Sequence, residues 1–134
     1  MPNIKTYIVE DSAVIRENLS SVLQELVPIA VMGTAADEKT AVQWLTKRAN
    51  ELDLVIVDIF LKEGSGLGVL QAIRNISSNF SIVVLTNFAT PEMNLKCIEL
   101  GADRVFDKSN ELADLVKYCA DLAKGGSNSV VMPD

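Results

Sequence analysis

The sequence predicts an α/β domain, an open parallel sheet of five strands with helices on both faces. Three observations lead there. Short apolar runs alternate five times with segments of helical periodicity, which is the signature of repeated strand–helix units. The 134 residues suit one domain. A closed eight-stranded barrel needs about twice that length.

The elements follow in order. Ile4 to Val9 reads as a first, buried strand. Asp11 or Ser12 caps a helix whose apolar positions are Ile15, Leu19, Val22 and Leu26, and Pro28 stops it. Ile29 to Ala35 is a second strand. Asp37 caps a second helix, carrying Ala41, Val42, Leu45 and Ala49 and running to about Asn50. Leu54 to Ile59 is a third strand, and its unbroken apolar run before Asp58 marks burial on both faces. A loop punctuated by Gly64 and Gly66 leads into a helix with Leu67, Leu70 and Ile73. Ser81 to Thr86 is a fourth strand, rich in β-branched residues. Thr90-Pro91-Glu92 opens a fourth helix with proline at its first position. That helix has a shallow apolar face (Met93, Cys97, Ile98) and ends at Gly101. Arg104 to Asp107 is a fifth strand. Asn110 caps a last helix with Leu112, Leu115, Val116, Cys119, Leu122 and Ala123, closed by Gly125-Gly126. The expected architecture is a doubly wound sheet, for which the flavodoxin-like order 2-1-3-4-5 is a common solution. Residues 1–126 form the domain, and 127–134 are a flexible tail or the start of a linker.

Composition narrows the function. The chain carries 12 Lys+Arg against 18 Asp+Glu, a net charge of −6, with no basic stripe for a nucleic-acid backbone or an anionic membrane. Apolar runs are too short to span a bilayer, and the N-terminus lacks the pattern of a signal peptide, so a cytoplasmic location is expected. There is no histidine and no CxxC pair, which excludes a Ser-His-Asp triad and argues against a zinc site. Cys97 and Cys119 lie within apolar helical patterns and read as buried small hydrophobes.

Sites on open parallel sheets form at the carboxyl ends of the strands. There the sequence places Glu10-Asp11, Asp58, Thr86 and Asp107-Lys108. Clustered carboxylates repel one another, and a hard divalent cation such as Mg²⁺ relieves the repulsion while leaving room for phosphate oxygens. Lys108 offers a positive charge and Thr86 a hydroxyl for those oxygens. Asp58 stands where a carboxylate nucleophile belongs. Taken singly, Asp11 can be a plain helix cap, Thr86 an ordinary strand end and Lys108 a surface lysine.

The segments VEDSAVIRENL, IVDIFLKEGSGLGVL, IVVLTN and GADRVFDKS together resemble the motifs of response-regulator receiver domains, over about residues 4 to 124. Spacing and order both fit. The resemblance implies that Asp58 is the phosphoacceptor, and that Asp11 binds Mg²⁺ directly while Glu10 holds it through water. It further implies that Phe60 lends the metal its backbone carbonyl and that Thr86 is the switch hydroxyl. Phe106 is the switch aromatic that turns inward, and Lys108 binds the phosphoryl group. The donor is then a histidine on a partner kinase or phosphotransfer protein. The output is a changed face of the fourth helix, fifth strand and fifth helix, carrying Glu92, Lys96, Glu99, Arg104 and Lys117, that binds a partner protein or a second copy of the chain. Such a domain catalyses only its own Mg²⁺-dependent phosphorylation and dephosphorylation. Lys62 and Ser109 stand where the family commonly has proline, and Asn87 where it has a small residue. Phe60 and Phe88 flank the expected pocket and are expected to hinder water. The alternatives are a receiver-like interaction module that works without phosphorylation, and a piece cut from a longer regulator. A dehalogenase-like phosphatase needs a second aspartate at position 60, and a nucleotide binder needs a glycine-rich loop after the first strand. Neither is present.

Overall fold

The structure, a computed structural model, describes residues 3–76, 79–87 and 89–125. Five strands alternate with five helices: β1 (Ile4–Val9), α1 (Ala13–Leu26), β2 (Ile29–Ala35), α2 (Glu38–Arg48), β3 (Leu54–Val57), α3 (Gly66–Ile73), β4 (Ser81–Thr86), α4 (Pro91–Glu99), β5 (Arg104–Asp107) and α5 (Leu112–Ala123). All pairings are parallel and the strand order is β2-β1-β3-β4-β5, as expected.

The two-residue period of the strands divides the core in two. Tyr7, Val9, Val55, Val57 and Val84 face α2, α3 and α4, meeting Leu45, Leu70, Ile73 and Cys97. Ile8, Leu54, Ile56, Val83, Leu85 and Phe106 face α1 and α5, meeting Leu19, Leu23, Leu115 and Cys119. β3 is buried throughout because helices cover both of its faces. On the first side Tyr7 stacks on Trp44 with ring centroids 4.3 Å apart. Gly33 fits beneath them at a register shift of β2, where a Cβ would stand 3.1 Å from Tyr7 Cε1. Both cysteines are free and buried, and burial pushes the Cys119 thiol up to about 12. They are packing groups, as read from the sequence.

Several local expectations change. Leu19 and Leu23 carry the buried stripe of α1, while Ile15 and Leu26 are exposed. Ile15 sits at the sheet edge near the strand ends, and at the other end the chain turns extended at Val27, which takes the buried place instead of Leu26. Ser12, not Asp11, caps α1, accepting from the Ile15 N–H. α2 stops at Arg48 and tightens into a 3₁₀ turn over Ala49–Glu51. β3 stops at Val57, because the chain folds back at once: Gly66 N–H donates to the Ile59 carbonyl and Phe60 bridges Ser65. Asn110 does not cap α5. It is taken up in a turn whose ends are tied by the Asp107 N–H donating to Glu111 Oε1 at 2.8 Å, and Glu111 stands at the cap position. Thr90 caps α4 with Pro91 behind it, and Cys97 is its one fully buried residue, in keeping with a shallow face. Phe88, Gly126 and the tail 127–134 lie outside the described residues.

Candidate functional site

The site is built at the carboxyl ends of β1, β3 and β5, where each strand stops and its next residues stay at the sheet edge. Asp58 N–H still donates to the Val9 carbonyl at 2.9 Å, and Lys108 N–H to the Thr86 carbonyl at 2.9 Å. The sheet ladder therefore fixes the backbone of both residues one step past their strands. A cavity of about 200 Å³ opens there, lined by Glu10, Asp11, Ser12, Ile15, Asp58, Phe60, Asn87 and Lys108.

Glu10, Asp11 and Asp58 each offer a carboxylate oxygen within 4.8 Å of the others. Lys108 Nζ donates to Glu10 Oε1 at 2.6 Å and to Asp58 Oδ2 at 2.9 Å. Backbone amides hold the remaining geometry. Ser12 N–H donates to Glu10 Oε2 at 2.9 Å, Phe60 N–H to Asp58 Oδ1 at 3.3 Å, and Lys62 N–H to Asp11 Oδ2 at 2.9 Å. Arg16 donates to the Glu10 carbonyl at 2.7 Å and braces the turn from behind.

Glu10 is 3% exposed, and burial lifts its carboxyl above the ordinary range, against the hydrogen bonds from Lys108 and Ser12. Burial pulls Lys108 down, but its bonds to Glu10 and Asp58 outweigh that and leave it raised. The two shifts pull the pair opposite ways, one toward a shared proton and one toward separated charges. The ion pair prevails, because two carboxylates face the same ammonium. Three carboxylates against one ammonium leave a formal excess of two negative charges. The donor set is all oxygen, and that charge matches a hard divalent cation such as Mg²⁺. The carboxylates of Glu10, Asp11 and Asp58 are the groups that could hold it.

Gly66 permits this geometry. A Cβ there would run into the Asp58 carbonyl oxygen and stand 2.6 Å from Ile59 Cα, both backbone atoms that cannot swing aside. A Gly66→Ala variant is expected to lose about 2 kcal/mol in urea unfolding. Loss of less than about 0.5 kcal/mol would show that the loop yields easily.

The structure thus brings Glu10, Asp11, Asp58, Phe60 and Lys108 to one pocket. Thr86 and Phe106 do not line it. Thr86 is fully buried at the end of β4, one residue before Asn87, which does line the pocket. Phe106 already points inward, edge-on to Tyr118 at 6.1 Å, with the Arg104 guanidinium 4.9 Å above its ring. Sequence reasoning missed the orienting amides, since every residue except proline has an N–H. It also missed the roles of Ser12 and Ile15 in the wall.

Residues 6–120 match the family model described as the response regulator receiver domain. Among curated proteins, the chain is 31% identical over 127 residues to the probable transcriptional regulatory protein SilR of Salmonella typhimurium, covering 95% of this chain and 54% of that one. It is 29% identical over 132 residues to the transcriptional regulatory protein YdfI of Bacillus subtilis (strain 168), covering 97% of this chain and 59% of that one. The chain thus spans little more than half the length of these relatives. Among solved structures it is similar to a two-component response regulator of the LuxR family from Aurantimonas sp. SI85-9A1, with a TM-score of 0.81 at 25% identity, covering 92% of this chain and 87% of that one. The fold is also that of the signal receiver domain of the putative response regulator NarL from Mycobacterium tuberculosis, with a TM-score of 0.80 at 21% identity, covering 93% and 99%.

Proposed function

The chain belongs to the response-regulator receiver domain family of two-component systems, and from that membership and the pocket geometry we propose that it is a switch operated by phosphorylation of Asp58. The observation that carries this reading is the Asp58 carboxylate held between Lys108 and the Phe60 amide in an acidic, oxygen-lined pocket.

In the proposed reaction an Asp58 oxygen attacks the phosphorus of a phosphohistidine on a partner kinase or phosphotransfer protein. A P–O bond forms, the P–N bond to the imidazole breaks, and the histidine nitrogen keeps the bonding electron pair. A bound Mg²⁺ supplies neutralisation of charge on the transferred oxygens. Lys108 turns its ammonium from Glu10 and Asp58 toward a phosphoryl oxygen, where its charge stabilises the transition state. Phe60 is half exposed on the wall and narrows the approach of water. Beside the pocket a cavity of about 300 Å³ between α1 and α5 shares Ile15, Asn87 and Lys108 with it and adds Leu19, Val22 and Leu112. A donor protein must rest on this rim to insert its histidine.

Phosphorylation adds roughly −1.5 to −2 charge at the end of β3. A conformational change follows only if one state meets that charge better. Thr86 is the hydroxyl placed behind the pocket to do so. β5 and α4 flank β4, and the charges Glu92, Lys96, Glu99, Arg104 and Lys117 on this face are all exposed. We assign the output to this face, bound by a partner protein or a second copy of the chain. No described helix is long and apolar enough to cross a membrane.

The reading is tested by intact-protein mass after incubation with acetyl phosphate. A gain of one phosphoryl group that requires Mg²⁺ and is lost with a chelator is expected. If the folded protein gains no phosphoryl group and forms no beryllofluoride adduct, the domain works as an interaction module without phosphorylation.

A further inference from the structure

Each of the three pocket carboxylates accepts a hydrogen bond from one backbone amide. Two of these bonds are local. Ser12 holds Glu10 and Phe60 holds Asp58, each from two residues further along the same turn. The third is not: Asp11 is held by Lys62, 51 residues away, across the mouth of the pocket. Among the described residues the Asp11 carboxylate accepts no hydrogen bond from its own helix, which Ser12 caps. One carboxylate oxygen of Asp11 stands within 4.8 Å of those of Glu10 and Asp58, while its Oδ2 accepts from the Lys62 amide.

We propose that the Lys62 backbone amide is a positioning group for the cation site, fixing the Asp11 carboxylate so that one oxygen is committed to the loop and the other is presented to the metal. The inference rests on the Mg²⁺ reading above and names a determinant of it particular to this chain. Groups that hydrogen-bond a metal ligand set its orientation, and losing one typically weakens metal binding about 10–100-fold. The same bond ties the β3–α3 loop to the β1–α1 turn, so the segment bearing the Phe60 carbonyl and the one bearing Asp11 move as a unit. That loop is held at its far end as well, where Ser65 N–H donates to Glu38 Oε1 at 2.9 Å and Glu38 N–H to the Glu63 carbonyl at 3.2 Å. The Lys62 side chain itself is exposed and has no hydrogen bond or ion pair among the described residues. The role therefore belongs to the amide, and any residue at this position keeps it except proline, which has no N–H and is the residue the family commonly has here, so the bond is one that this chain has and those members lack.

The test is calorimetric titration of Mg²⁺ into the full chain without a phosphodonor, comparing wild type, Lys62→Ala and Lys62→Pro. Lys62→Ala should bind like the wild type, and Lys62→Pro about 10–100-fold more weakly. Amide hydrogen exchange of the wild type supplies a second readout that needs no variant to fold. The Lys62 N–H should be protected without Mg²⁺ and stay protected at saturating Mg²⁺. Equal affinity of Lys62→Pro and Lys62→Ala overturns the proposal, as does an unprotected Lys62 amide. Tighter binding by Lys62→Pro, or protection lost on adding Mg²⁺, also overturns it, because the amide would then compete with the metal. A wild type that binds no Mg²⁺ instead refutes the metal site itself, and this inference with it.

Discussion

Asp58→Asn is expected to abolish phosphoryl incorporation from acetyl phosphate while leaving the fold standing. The amide has no anionic oxygen to attack phosphorus, so the mass gain should fall from one phosphoryl group per chain to none. Stability should move by no more than about 1 kcal/mol. Two effects oppose each other there. Asp58 is buried and paired with Lys108 at 2.9 Å, so the substitution weakens a charge-assisted bond. But Lys108 keeps Glu10 at 2.6 Å, and removing the Asp58 charge relieves one of the influences that raise the Glu10 carboxyl. The Phe60 N–H keeps an acceptor in the asparagine oxygen. Urea unfolding beside intact mass checks both halves. Incorporation persisting in the variant would place the phosphoryl group on a different residue.

Lys108→Met, by contrast, should damage both fold and chemistry. The methionine fills the space of the aliphatic stem but leaves Glu10 and Asp58, 3% and 6% exposed, without a counter-charge. Breaking a buried ion pair by removing one partner costs about 3–5 kcal/mol, and here one cation serves two carboxylates. In the presence of a chelator, a loss of about 3 kcal/mol is therefore expected. Added Mg²⁺ should recover part of it, since a cation bound only by the folded state stabilises it by mass action. Incorporation of phosphoryl should also fall about 10²-fold, the scale set by losing one preorganised donor to a developing anion. A variant as stable as the wild type in chelator would mean that Lys108 is not the counter-charge these two carboxylates depend on. Measuring stability with and without Mg²⁺ separates that case from simple loss of packing.

Both expectations rest on residues already visible in the sequence, and it is instructive which parts of the molecule were. Strand and helix types were legible because their apolar periods differ, two along a strand and 3.6 along a helix. β5 at Arg104–Asp107 and the Thr90-Pro91 start of α4 need nothing beyond local chemistry, and both stand as expected. Boundaries failed where a distant partner competed with a local signal. Asn110 has the chemistry of a cap, but the Asp107–Glu111 contact draws it into a turn. Asp11 was an equal candidate with Ser12 to cap α1, until the Lys62 amide claimed its carboxylate. Ile15 fits the apolar stripe of α1, yet it lines the pocket because α1 begins at the sheet edge.

The order of strands along the chain, with acidic residues after the first and third and a lysine after the fifth, determined by itself that Glu10, Asp11, Asp58 and Lys108 would share one edge of a parallel sheet. Side-chain type and strand direction suffice for that, since every parallel strand ends on the same side. The tertiary structure alone decided how the charges are arranged: one ammonium between two buried carboxylates, three amides each turning a carboxylate, and Gly66 packed against the Asp58 backbone. It alone also set Thr86 and Phe106 behind the pocket wall, not on it. Those facts depend on distances between segments tens of residues apart, and on backbone N–H groups that every residue but proline carries, so no pattern of residue types can encode them.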